Sequence, residues 1–190
     1  MILCVSRWQP NARGRLEQAA LELYAERGYE QTTVADIAAR AGLTERTFFR
    51  HFADKREVLF WGASALEELM VTATASAPES AGPLEAIAAG LDAAARVLEQ
   101  RQDFARQRQA VIWANPELKE RELKKLASIG SSLADVLRQR GIAEPAAGLA
   151  AEMAIAVFRL SFVRWLHADN RRALAELMRE YVGELRALSA

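Results

Sequence analysis

The chain has 190 residues, 51% of them hydrophobic and 26% charged, long enough to bury a sizeable core as one domain or as a small domain joined to a larger one. Its 25 basic residues are matched by 25 acidic ones, so any attraction for nucleic acid has to come from local clustering rather than from net charge. One cysteine, Cys4, excludes an intramolecular disulfide or a multi-cysteine metal site. Two histidines, His51 and His167, and no glycine-rich phosphate loop leave no catalytic residues, no metal ligands and no expected cofactor. Nothing here points to an enzyme.

In chain order, residues 1–12 contain Pro10 and Asn11, lack periodicity and read as an arm. The opening MILCVS is too short and uncharged for a secretory signal. A first helix follows over 12–27, with Leu16, Ala19, Ala20, Leu23 and Tyr24 on one face, and Gly28 ends it. Thr33 is the natural N-cap of a second helix that has Asp36 at its third position. The stretch 34–52, VADIAARAGLTERTFFRHF, carries the strongest signal. Val34, Ile37, Ala38 and Ala41 form one apolar stripe, and Gly42 stands where a helix end needs left-handed dihedrals. Thr44 caps the next helix. Phe48 and Phe52, one turn apart, face inward, which leaves Arg46, Thr47, Phe49, Arg50 and His51 outside. Two short helices at a fixed corner, the second presenting Arg, Thr and His, make a helix-turn-helix reader of the DNA major groove.

Asp54 caps a fourth helix that runs through Leu59, Leu66, Leu69 and Met70 towards Ser76, and the Pro, Ser and Gly of 77–82 mark a loop. Pro83 opens a fifth helix carrying Leu84, Ile87, Leu91, Ala94 and Leu98, with a break near 101–103. A sixth helix carries Phe104, Val111, Ile112 and Trp113. Asn115 and Pro116 then turn the chain into a seventh, which runs through Leu118, Leu126, Ile129, Leu133 and Leu137 to Gly141. The eighth, about 146–167, is apolar nearly all round, although Glu152, Arg159 and Arg164 argue against a membrane span. The ninth places Leu174, Leu177, Met178, Tyr181 and Leu185 on one face. Two terminal helices with this much apolar surface need a second molecule, and a two-fold four-helix bundle is the simplest closed solution. The expectation is an all-α fold of about nine helices, an arm and helix-turn-helix domain over 1–55 and a helical domain over 56–190.

The ordered set ERGYEQTTV, IAARAGLT, FFRHF and DKREVL, running through 14–59, resembles the DNA-binding domain of the TetR family of transcriptional regulators. The resemblance implies a homodimeric, cytoplasmic repressor that pairs through its last two helices, binds a palindromic double-stranded DNA operator and is released by a small effector. Arg46 and Thr47 would contact base edges. Thr33, Thr44, Arg50, His51 and Lys55 match positions that hold the helix start or the phosphate backbone. Phe49 stands where the family pattern more often has tyrosine, which removes one hydroxyl donor. Family members enclose the effector among the fourth to seventh helices, so Trp61, Met70, Phe104, Arg108, Ile112, Trp113 and Ile129 are the candidate ligand residues. The segment 101–141 also resembles a subgroup that takes acyl-CoA-like molecules. Read without the resemblance, the same seven residues are ordinary core and surface. The alternative of another class is a helical dimerisation or adaptor protein whose corner is only packing. Such a protein has no need to expose Arg46, Arg50 and His51 together.

Overall fold

The structure, a computed structural model, describes residues 11–188, so the arm with Cys4 and Arg7 lies outside the described residues. Among the described residues every regular element is helical: α1 (Ala12–Arg27), α2 (Val34–Arg40), α3 (Glu45–His51), α4 (Glu57–Phe60), α5 (Gly62–Ala75), α6 (Pro83–Glu99), α7 (Gln102–Ala114), α8 (Pro116–Gln139), α9 (Ala146–Leu166) and α10 (Leu174–Leu188). The expected fourth helix is divided into α4 and α5 at Trp61. That residue keeps right-handed helical dihedrals (φ −59°, ψ −32°) and its N–H still donates to Glu57 O at 2.9 Å, so the two segments follow one path. Counted as one, they give the nine helices of the sequence reading.

The short helices are set by their ends. Thr33 Oγ1 accepts from Asp36 N at 3.1 Å and Asp36 Oδ2 accepts from Thr33 N at 3.0 Å, a reciprocal box that satisfies two otherwise free N–H groups of α2. Thr44 Oγ1 accepts from Thr47 N at 3.2 Å to start α3. Between them Gly42 has φ +64°, and a Cβ there would sit 2.9 Å from Arg15 Nη2, whose guanidinium donates to Ala41 O. Asp54 Oδ1 accepts from the N–H groups of Arg56 and Glu57 ahead of α4. Replacing Thr33 by alanine removes the capping hydroxyl and is expected to lower stability by about 1 kcal/mol. A chemical denaturation curve that does not move would show that the box carries no net stability.

Two cores are packed from these helices. In the first, Leu16, Leu21, Leu23 and Tyr24 of α1 meet Ile37, Phe48 and Phe52, and the cluster closes with Val58, Leu59 and Phe60 of α4 and with Val111, Ile112 and Leu118 from much later in the chain. Residues 57–60, expected in the second domain, are therefore packed into the first core. The second core joins Met70 of α5 to Ile87 and Leu91 of α6, Leu133 and Leu137 of α8, the Ala147, Ala150, Ala151 and Ala154 stripe of α9, and Leu177 and Met178 of α10. Within it α5 and α6 approach closely at Gly90, where a Cβ would lie 2.5 Å from Thr74 Oγ1 and 2.9 Å from Met70 O.

By length and composition α9 is apolar enough to cross a membrane: an 18-residue window of it has mean hydropathy 1.6. The charges named in the sequence reading do not keep a window of it from passing this test, which the core helix of a folded protein also passes. In this chain the helix packs against α6, α8 and α10, and it leaves Leu149, Leu160 and Val163 exposed on its other side.

Candidate nucleic-acid interface

The recognition helix α3 has only seven residues, too short to persist in water alone, so its position comes from its inner face. Phe48 is fully buried and Phe52 nearly so, with ring centroids 5.5 Å apart. Phe49 points out, 55% exposed, and meets Phe48 edge-on at 5.5 Å. Arg46 and Arg50 are exposed, while Thr47 is half-buried with its hydroxyl 3.0 Å from that of Thr44.

The charges around α3 divide into those with carboxylate partners and those without. Arg40 is held by Glu26 at 2.7 Å and Glu22 at 3.4 Å, Arg27 lies 3.7 Å from Asp36, and Arg56 pairs with Asp54 at 2.7 Å. The Arg40 guanidinium holds the Glu26 carboxyl below its usual range, and the hydrogen bonds from Thr33 do the same for Asp36. Arg46 and Arg50 have no ion-pair partner among the described residues. Local positive charge therefore concentrates on α3, as a neutral chain requires if it is to attract a polyanion.

Two predicted contact residues, Lys55 and Thr33, are already engaged, and a third, His51, is partly enclosed. Lys55 Nζ donates to Tyr29 O at 2.9 Å, Thr32 O at 3.1 Å and Glu30 O at 3.3 Å, and it stands 4.3 Å from the Tyr29 ring centroid. All three ammonium donors are used on the loop before α2. Lys55 O in turn accepts from Tyr24 Oη at 2.7 Å, and burial pushes the Tyr24 phenol far above its ordinary value and that of Tyr29 up to about 12. Thr33 donates its hydroxyl to Asp36 Oδ2 at 2.6 Å. The Nε2 of His51 is buried without a hydrogen-bond partner, and burial first, then Arg50 and Arg13, lower its pKa and keep the ring neutral at pH 7. Arg13 and Arg15 lie in the first turn of α1. Arg13 stacks 4.6 Å from the Trp61 ring centroid and 6.0 Å from that of Phe52.

The seven candidate ligand residues do not surround one space. Met70 and Ile129 belong to the second core, whereas Ile112 and Phe104 pack on the first. Trp61 and Trp113 are partly exposed. Arg108 is a link: Nε donates to Leu59 O at 2.6 Å and Nη1 to Glu122 Oε1 at 2.9 Å, while Gln109 Nε2 donates to Glu122 Oε2 at 2.9 Å. Arg121 pairs with Glu57, and the guanidinium carbons of Arg108 and Arg121 stand 5.2 Å and 5.5 Å from the Phe60 ring centroid. A second link joins Arg101 Nη2 to Glu17 Oε2 of α1 at 2.9 Å. Sequence reasoning missed the Glu57, Glu17 and Arg121 links because their partners lie far away along the chain. A cleft of about 480 Å³ opens elsewhere, beside Gln102 and Arg106 of α7, and none of the seven lines it.

A three-helix head with a capped recognition helix, linked by α4 to an all-helical body, defines a helix-turn-helix protein with a separate helical domain. The chain belongs to the TetR family of bacterial regulatory proteins. The sequence model for that family matches residues 17–60, and a model described as the MftR C-terminal domain matches residues 81–189. The transcriptional regulator TcmR of Streptomyces glaucescens is 44% identical over 75 residues, 40% of this chain and 33% of that protein, so the match spans about a third of the relative. The TetR family regulator PfmR from Thermus thermophilus is 28% identical, with a TM-score of 0.56 over 89% of this chain and 94% of that one. FadR from Bacillus subtilis, solved with stearoyl-CoA, has the same fold at 23% identity, with a TM-score of 0.62 over 90% of this chain and 96% of that one. The family consists of regulators rather than enzymes.

Proposed function

We propose that the protein is a homodimeric transcriptional repressor that binds a palindromic operator through α3 and is released by a small apolar or amphipathic effector. The observation that carries this reading is the pair of exposed, uncompensated arginines, Arg46 and Arg50, on a helix fixed from behind by Phe48 and Phe52. Arg46 and Thr47 read base edges. Arg50, the Thr44 end of α3 and Phe49 lie along the backbone, with Thr33, His51 and Lys55 shaping that surface rather than donating freely to it. The domain division is a head over 1–55, to which α4 adds its packing, and a body over 56–190.

Pairing through α9 and α10 covers Leu149, Leu160 and Val163, and two-fold symmetry puts the recognition helices roughly 34–36 Å apart or a multiple of it. The working compartment is the cytoplasm. An acyl-CoA-like effector, the kind of ligand held by the B. subtilis FadR structure, meets Met70 and Ile129 if its chain enters the second core, and Arg108, Trp61, Phe104, Ile112 and Trp113 where it approaches the head. By linkage, operator DNA weakens effector binding by the same factor that effector weakens DNA binding.

Selection of bound sequences from random duplex DNA tests the reading. Wild type is expected to recover a palindrome, and Arg46→Ala and Thr47→Ala to relax it, each at a cost of about 1–3 kcal/mol in operator affinity. No enrichment at low salt from a folded protein would instead favour the adaptor reading, because phosphate contacts make DNA binding strongest there.

A further inference from the structure

The cleft beside α7 is lined by Glu99, Gln102, Arg106, Trp165, Arg171 and Arg172, where the α6–α7 corner, the end of α9 and the approach to α10 converge. Three arginines and one glutamate line it. Arg106 Nε donates to Leu166 O at 3.3 Å, and its one carboxylate partner, Asp103 at 3.4 Å, is 91% exposed and screened by solvent. Arg171 Nη1 donates only to carbonyls, Ala168 O at 2.9 Å and Asn170 O at 3.1 Å, which position the side chain without neutralising it. Arg172 is answered outside the cleft by two carboxylates, Glu180 at 2.5 Å and Glu176 at 3.9 Å, and so adds little free charge to it. The single carboxylate lining the cleft, Glu99, is turned to the start of α10, where Oε1 accepts from Ala175 N at 2.8 Å, and it keeps its charge. Of the three, Arg171 has no carboxylate partner among the described residues, and Arg106 has only the exposed Asp103. Beneath them Asn170 is buried and fixes the loop, donating to Arg172 O at 2.8 Å and accepting from Arg172 N at 3.2 Å.

Helix capping explains Gln102, which donates to Trp165 O at 3.3 Å, and one hydrogen bond of Arg106. It does not explain why two guanidiniums, Arg106 with only an exposed carboxylate partner and Arg171 with none among the described residues, border a space of small-molecule size. We propose that this cleft binds a phosphate-bearing small molecule, with Arg106 and Arg171 gripping the phosphate oxygens. Converging planar forks suit a multiply charged group with three acceptor oxygens better than one carboxylate, and the cleft is larger than a bare anion. The position also has a consequence. Gln102 follows Arg101, whose guanidinium pairs with Glu17 of α1, so an occupant would sit beside a direct bridge to the head. That regulatory meaning rests on the DNA-binding reading above, while the binding itself does not.

Isothermal titration calorimetry of the full chain without DNA separates the two, using coenzyme A and inorganic pyrophosphate as probes. Saturable binding is expected in wild type, weakened at least about tenfold in Arg106→Gln/Arg171→Gln and unchanged in Arg96→Gln on the exposed face of α6. Tighter binding of coenzyme A supports the site with an organic phosphate as its ligand, and equal binding supports it with an inorganic source. If circular dichroism shows the double variant unfolded, Arg171→Gln, which breaks only local carbonyl contacts, carries the same expectation. No saturable binding by wild type, an unchanged affinity in the folded variant, or an equal loss in Arg96→Gln would overturn the proposal. None of these outcomes depends on whether an operator is ever found.

Discussion

Truncating Phe48 to alanine is expected to cost about 3–5 kcal/mol and to abolish the position of α3 along with it. The ring is fully buried and touches Phe52 and Phe49, and it closes the first core beneath α1 and α2. A seven-residue helix has no stability of its own to fall back on. The loss therefore shows twice, as a lower midpoint in chemical denaturation and as missing amide protection through residues 45–51. Phe48→Leu keeps most of the volume and should recover much of it. If Phe48→Ala moved the midpoint by less than about 1 kcal/mol, the burial argument for α3 would be wrong.

The second large effect is at Arg108. Alanine there strips Leu59 O and Glu122 of their charged donor while leaving Glu122 partly enclosed and Gln109 buried between α7 and α8. Removing one partner of an enclosed pair costs about 3–5 kcal/mol. Arg108 and Glu122 side chains are still 19% and 22% exposed, so about 2–3 kcal/mol is expected, or roughly 4–12 °C in Tm. Arg108→Lys keeps the charge and loses the fork, so it should fall between. A double-mutant cycle with Glu122→Gln isolates the pair, and a coupling near zero would mean that the Leu59 carbonyl contact carries the whole effect.

What could be read in the sequence was local. Thr33, Gly42, Thr44 and Asp54 declare their roles within three residues of themselves, and the structure finds each cap or turn where the spacing puts it. Lys55 shows the limit. Its charge reads as a phosphate contact, but the carbonyls that absorb it lie 23 to 26 residues earlier. Ile112 and Ile129 show another. Helical periodicity marks both as inward-facing but cannot say inward to which core, and they go to different ones. Under the acyl-CoA-like resemblance Arg106 could be read with Arg108 as a contact for an anionic group, but its neighbour Arg171 could not, because a loop shaped by Asn170 hydrogen bonds brings that residue to the same cleft.

Gly90 sets a direction for any motion of the body. With no side chain there, the backbones of α5 and α6 touch, and no guest molecule can wedge them apart without first breaking that seam. A displacement of either helix therefore has to carry the other with it. Because α5 runs through Trp61 into α4 without a change of dihedral region, the same path of chain carries Val58, Leu59 and Phe60 of the first core and Met70 of the second, so the two cores share one helical connection.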